Sequence, residues 1–389
     1  MSELSYVQGA SNVPLVGEPI FHNLRRTAAR FGDRDALVVP PQDYRATYSQ
    51  LVEQCEAAGR GLMARGVKKG DRVGIWSPNR YEWVVVQYAT AAIGAILVNI
   101  NPAYRTSELE YALNQSGTGF LILAKGFRQA DYRAMLAEVK GRCPDLKEAL
   151  VLEDGWDALL RDAARSSLEE LREREESLQF DDPINIQYTS GTTGFPKGAT
   201  LTHHNILNNA FFIGETLKYS ERDRVCIPVP FYHCFGMVLG NLACTSHGAA
   251  MVIPGEAYDP LAVMETVQKE RCTSLYGVPT MFIGELEHPR FKEFDFTSLR
   301  TGIMAGSPCP VEVCILTWRS RSSTRPPERW FRAARRVSSA AVATWSCSAT
   351  GTTRKPPVKQ SMPHAGCTRA IWPRWTKTVT STSSAGSRT

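Results

Sequence analysis

The chain has 389 residues, 43% of them hydrophobic and 22% charged, the make-up of an ordinary globular protein able to bury a large core. No apolar run reaches the roughly eighteen residues that a bilayer span requires, and the N-terminus lacks the basic and apolar regions of a signal peptide, so a cytoplasmic protein is expected. Ten cysteines without CxxC spacing read as reduced thiols, which excludes a disulfide framework.

Taken in order, Pro14 to Arg34 predicts an amphipathic helix and Ala36–Val39 a short strand. Thr47 caps a second helix, with Leu51, Cys55, Ala58, Leu62 and Met63 at helical spacing. Residues 66–71 turn the chain into a strand at Val73–Trp76, closed by Ser77-Pro78-Asn79. A helix from Tyr81 through Ala92 leads to a strand at Ala95–Val98 and the turn Asn101-Pro102-Ala103-Tyr104. A helix over 107–114 and a strand at Phe120–Leu123 follow. Alternation at this spacing predicts an α/β fold with a largely parallel sheet. Residues 154–182, rich in Arg and Glu, predict a solvated helix ending at Asp181-Asp182-Pro183.

The run Ile184-Asn185-Ile186-Gln187 then enters a stretch of unusual composition, residues 188–198. Gly191, Gly194 and Gly198 allow positive φ and leave amide groups unshielded. Thr189, Ser190, Thr192 and Thr193 offer hydroxyl donors, and Lys197 adds one cation. Such a loop suits a triphosphate. It is not a Walker A loop, because Gly198 rather than Ser or Thr follows the lysine.

A helix is expected from Thr202, with His203 and His204 as surface residues of its first turn and not as metal ligands. Strands are expected at Val225–Val229, Ala249–Ile253, Thr273–Tyr276 and Leu299–Met304. Two of their ends carry chemistry, since ligands in open α/β sheets gather at the carboxyl ends of strands. The first leads to Pro230-Phe231-Tyr232-His233-Cys234-Phe235-Gly236, and the last to Gly306-Ser307-Pro308. The latter also reads as an ordinary turn, and Tyr276-Gly277-Val278-Pro279-Thr280 equally as a core turn.

Residues 188–198 closely resemble the phosphate-binding signature of the acyl-adenylate-forming enzymes, which include acyl-CoA synthetases, luciferases and peptide-synthetase adenylation domains. Thr47-Tyr48, Gly70-Asp71-Arg72-Val73 and Asn101-Pro102-Ala103-Tyr104 are similar to early core motifs of acyl-CoA synthetases, and the match looks most like the medium-chain branch. The resemblance implies that Thr189 to Gly194 and Lys197 bind ATP. It implies that His233 orients the carboxylate between acyl pocket and nucleotide, with Lys197 and His233 as the catalytic pair. Gly306, Ser307 and Pro308 would lie against adenine, and Gly277 would line the acyl pocket. The implied reactants are a fatty acid of medium chain length, ATP with Mg²⁺ held mostly by phosphate oxygens, and coenzyme A. No metal site on the protein itself is expected.

The resemblance covers residues 1 to about 313 and then stops. Residues 1–314 carry a balance of −7 charges and residues 315–389 a balance of +13, the one acid among the latter being Glu328. No Asp follows Asp295, so the family's ribose-binding and hinge aspartates have no counterpart. With permitted codons, Ala365 to Thr389 read one nucleotide out of step yields the family's ribose-binding and hinge sequence. The tail is therefore expected to be a frameshift product, poorly ordered and without specific nucleic-acid affinity. A different nucleotide sequence beneath residues 366–386 would end that reading. The expected fold is thus α/β, the large N-terminal domain of the acyl-adenylate-forming fold with mostly parallel sheets flanked by helices. It is incomplete over 1–314, and the small C-terminal domain is absent. The expected function is ATP-dependent fatty acid–CoA ligation by descent, without turnover as written. The alternatives are a non-catalytic remnant that binds ATP or acyl groups and, behind it, nucleic-acid binding through the basic tail.

Overall fold

The computed structural model describes residues 13–189 and 196–307, with the backbone of 343–344. The chain divides into two units, Met1–Arg222 with Pro230–Met251, and Asp223–Val229 with Val252–Thr389.

In the first unit, α1 (Ile20–Phe31) precedes a hairpin of β1 (Asp35–Val39) and β2 (Tyr44–Thr47). Thr47 then starts α2 (Tyr48–Ala64) with a capping box: its hydroxyl accepts from the Gln50 N–H, and the Gln50 side chain accepts from the Thr47 N–H. β3 (Arg72–Trp76) leads to α3 (Tyr81–Ile93), which is buried almost all round and ends at Gly94 with φ 69°. β4 (Ile96–Asn99), α4 (Thr106–Ser116) and β5 (Phe120–Leu123) repeat the pattern. The small hairpin β6 (Gly126–Phe127) and β7 (Ala130–Asp131) follows, then α5 (Tyr132–Val139), β8 (Glu148–Val151), α6 (Leu152–Asp162) and α7 (Leu168–Glu176). β9 (Pro183–Thr189), β10 (Lys197–Thr202) and α8 (His203–Leu217) complete the series.

Six of these strands form one sheet in the order β10-β9-β4-β3-β5-β8. All neighbours are parallel except β9 and β10, which pair antiparallel. The chain runs outward from β3 to both sides, so the carboxyl ends of β3, β4, β5 and β9 share one edge. β9 ends with Thr189 at that edge, and β10 begins there with Lys197. The first unit closes with a one-turn helix α9 (Cys234–Gly236), a π-helical stretch at Met237–Leu242 and α10 (Ala243–His247).

In the second unit β11 (Arg224–Cys226), β13 (Ser274–Gly277) and β14 (Thr301–Met304) are parallel neighbours. β12 (Ala250–Val252) straddles the boundary between the units, and α11 (Pro260–Lys269) and α12 (Pro279–Leu286) connect the later strands. β15 (Ala343–Thr344) pairs antiparallel with β14, and the rest of 308–389 lies outside the described residues.

Three expectations change. The charged stretch 154–182 is not one solvated helix: α6 and α7 are separated by a 3-10 turn, and they bury Trp156, Leu159, Leu171 and Glu175. The Glu175 carboxylate meets Arg25 of α1 at 2.9 Å, a partner that local composition could not reveal. Secondly, Tyr188, Thr189, Lys197 and Gly198, expected in a loop, are strand residues of β9 and β10, while the helix expected from Thr202 is present with Thr202 as its N-cap. Thirdly, His203 is not a surface residue. It is fully buried, and its Nδ1 accepts a 3.1 Å hydrogen bond from the Ile20 N–H at the start of α1. Its partner in the pair, His204, is half-buried beside Phe180.

Burial holds the His203 imidazole neutral, down to a pKa of about 4, with Asp182 opposing the shift. Folding therefore disfavours its proton, and the unfolded chain binds one more readily below the usual 6.5. This stability is intact above pH 6.5 and is lost as pH falls toward 4, by about 3 kcal/mol in all. Urea unfolding against pH is expected to show that slope. His203→Gln, which keeps an acceptor for the Ile20 N–H, is expected to flatten it.

Candidate active site

β9 and β10 form the stem of the glycine-and-hydroxyl loop, with Thr189 directly opposite Lys197. Both are exposed, and the Thr189 Oγ1 donates to the Lys197 carbonyl at 3.4 Å. Among the described residues the Lys197 ammonium has no ion-pair partner. α4 braces the stem from the side. The Tyr111 hydroxyl donates to the Pro196 carbonyl at 3.0 Å, the Gln115 amide donates to Tyr111, and the Tyr188 hydroxyl donates to the Ala112 carbonyl. Gly198 faces Tyr188 across the ladder, where a Cβ would stand 2.9 Å from the Ile186 side chain. Ser190, Gly191, Thr192, Thr193 and Gly194 lie outside the described residues, as does Pro308.

His233 is also in the first unit, on the tight turn that follows Pro230. The turn is pinned at its start by Asn79, whose Oδ1 accepts from the Phe231 N–H at 2.8 Å. It is closed at Gly236, where a Cβ would come within 2.4 Å of the Pro230 carbonyl oxygen, so the backbone tolerates no side chain there. His233 caps α9 with its own ring: Nδ1 accepts from the Phe235 N–H at 3.1 Å. A ring nitrogen that accepts carries no proton, so the neutral ring bears its hydrogen on Nε2 and can donate from there. The side chain keeps solvent access, yet surrounding protein desolvates the imidazole and lowers its pKa.

Behind the turn lies a buried amide network that sequence reasoning missed. Ile184-Asn185-Ile186-Gln187 is only half apolar. Asn185 and Gln187 are both buried, and the Asn185 amide donates to the Asn99 Oδ1 at 2.9 Å. The signal was present as strict alternation, since polar residues at every second strand position mark one face.

Gly277, Gly306 and Ser307 fall in the second unit. Gly306 has φ 94°, a conformation that L side chains rarely adopt, and a Cβ there would press on Val278 at 3.0 Å. Gly277 ends β13, with its carbonyl accepting from the Ala305 N–H at 3.2 Å. Among the described residues no three His, Cys, Asp or Glu side chains gather as a metal site, and no helix is long and apolar enough to cross a membrane.

The Thr189–Lys197 pair thus stands at the carboxyl edge of a parallel sheet, where ligands gather in open α/β folds. The family model described as AMP-binding enzyme matches residues 24–321, and the chain belongs to that family. It is 47% identical over 319 residues to YngI of Bacillus subtilis (strain 168), a protein named for acyl-CoA synthetase activity, covering 77% of this chain and 58% of that one. It is 42% identical to the mitochondrial medium-chain acyl-CoA ligase ACSF2 of Danio rerio, covering 79% and 54%. The chain thus spans little more than half the length of these curated relatives. Among solved structures, the inhibitor-bound N-terminal domain of FACL13 from Mycobacterium tuberculosis superposes with a TM-score of 0.68 at 25% identity, covering 78% of this chain and 73% of that domain. ATP-bound MatB of Rhodopseudomonas palustris shares the fold at a TM-score of 0.64 and 24% identity, covering 78% and 58%.

Proposed function

We propose that the chain carries the large-domain half of an ATP-dependent fatty acid–CoA ligase, and that as it stands it binds its reactants without turning them over. The observation that carries the reading is the exposed β9–β10 stem, which sets Thr189 opposite Lys197, a cation without an ion-pair partner among the described residues, at the carboxyl edge of the parallel sheet. In the reaction a carboxylate oxygen attacks the α-phosphorus of ATP, the bond to the β-phosphate oxygen breaks, and acyl-AMP and pyrophosphate result. Lys197 and the loop hydroxyls would hold the departing phosphates, a positioning and charge-stabilising role. His233, with Nε2–H available, would orient the carboxylate. Mg²⁺ would travel with the nucleotide on phosphate oxygens, and the thiolate of coenzyme A would then displace AMP from the acyl carbonyl. The family membership and the medium-chain relatives support this class of acid.

Residues 315–389 carry none of the family's ribose-holding and hinge aspartates, and this composition supports the reading of no turnover. We read residues 315–389 as a basic tail added to an incomplete AMP-binding domain over 1–314, and the protein as cytoplasmic. Pyrophosphate release, measured with fatty acids of graded chain length, ATP, Mg²⁺ and coenzyme A, is expected to stay at the level of Lys197→Ala. Release that exceeds that level and peaks at medium chain length would instead make this polypeptide a working ligase.

A further inference from the structure

His233 is held from both sides by one residue on another element. The Gln187 Nε2 donates to the carbonyl of Tyr232 at 2.7 Å, and its Oε1 accepts from the Cys234 thiol at 3.6 Å. The clamp is reinforced from β4. The Asn99 amide nitrogen lies 3.2 Å from Gln187 Oε1, 3.3 Å from the Tyr232 carbonyl and 2.9 Å from Met237 Sδ. Asn99 and Gln187 are register partners across the β4–β9 ladder, so the strand pairing itself fixes their approach. Both are buried, where a severed hydrogen bond leaves a group unpaired at full desolvation cost. A further buried amide pair extends the network: Gln87 donates to the Met237 carbonyl at 3.0 Å, and Asn241 donates to Gln87 at 2.9 Å. Gln187 stands two residues before Thr189, on the strand that enters the phosphate loop.

We propose that Gln187 is a positioning residue for His233: its side-chain amide grips the residues on either side of the histidine and ties that turn to the strand feeding the phosphate loop. Acyl carboxylate and nucleotide phosphates would then be held in fixed relation by one strand, with no contact between Gln187 and either reactant. The ligand concerned is a fatty carboxylate, and this part rests on the function proposed above.

The test uses the full chain and two substitutions. Gln187→Met keeps the length and removes both ends of the clamp, while Cys234→Ala removes only one. The first readout is the ¹⁵N spectrum of the His233 imidazole. The wild type is expected to show one tautomer, protonated on Nε2, and Gln187→Met a mixture, with Cys234→Ala between them. The buried His203 ring reports the fold in the same spectrum, so a general collapse is recognised by its shifts. The second readout is binding of a medium-chain fatty acid in the presence of MgATP, expected to weaken about tenfold in Gln187→Met, the effect of one to two net hydrogen bonds. MgATP affinity is expected to stay unchanged. An unaltered His233 spectrum in both variants, with His203 native, would overturn the proposal. Failure of the wild type to bind MgATP would instead strike the proposed function, and the imidazole spectra would still decide on the clamp.

Discussion

Replacing Trp76 by alanine is expected to destabilise the six-stranded unit by about 3–5 kcal/mol, the range for deleting a large aromatic from a packed core. Trp76 ends β3 and is fully buried among Val98, Ile100, Leu109, Leu113 and Leu123. Its ring stacks on Tyr132 with centroids 3.6 Å apart and planes 11° from parallel. Its indole N–H donates to the Asn101 carbonyl at 3.2 Å, while the Tyr132 hydroxyl donates to the neighbouring Pro102 carbonyl at 2.6 Å. Thus the turn Asn101-Pro102-Ala103-Tyr104 is fastened to the core by two aromatic side chains. Alanine removes the stacking, opens a cavity and leaves the Asn101 carbonyl without this donor.

Ile186 and Tyr188 of β9 pack against the same cluster, so the damage should reach the paired ends of β9 and β10 at Thr189 and Lys197. Trp76→Phe keeps most of the apolar area and forfeits the indole donor, so its expected cost is smaller, about 1–2 kcal/mol. Urea unfolding followed by circular dichroism measures both. A Trp76→Ala protein within about 1 kcal/mol of wild type would show that the cluster does not carry the unit's stability.

Local devices are legible in the amino-acid sequence. Thr47 and Thr202 announce helix starts because an N-cap is complete within four residues: Gln50 and Asn205 close their boxes. The stretch 188–198 stands out by composition, but its ends are strand residues that the pairing of β9 with β10 explains. The turn at Gly306 is legible from its small residues, and its φ of 94° gives the physical reason.

What escapes a sequence reading depends on partners far along the chain. β10 has no alternation of its own and exists because β9 offers it an edge. His203 is buried by the start of α1, 183 residues earlier, so its neighbours in sequence give no warning. Glu175 looks solvated because its partner Arg25 belongs to a different helix. Gln187 is the instructive case: the alternation is visible, but its meaning requires knowing that both faces of β9 are covered. The residues around Lys197 are found through chemistry, whereas the clamp on His233 is found only through packing.

The proposed grip of the β9–β10 hairpin on nucleotide phosphates is tested most directly by calorimetric titration of the full chain with MgATP, wild type against Lys197→Ala. The substitution removes an exposed cation whose loss is not expected to disturb the fold. A charge-assisted contact contributes about 1.5–3 kcal/mol, so saturable binding by the wild type should weaken about 10- to 100-fold in the variant. Equal affinity in the two proteins, or no binding by either, would contradict the account.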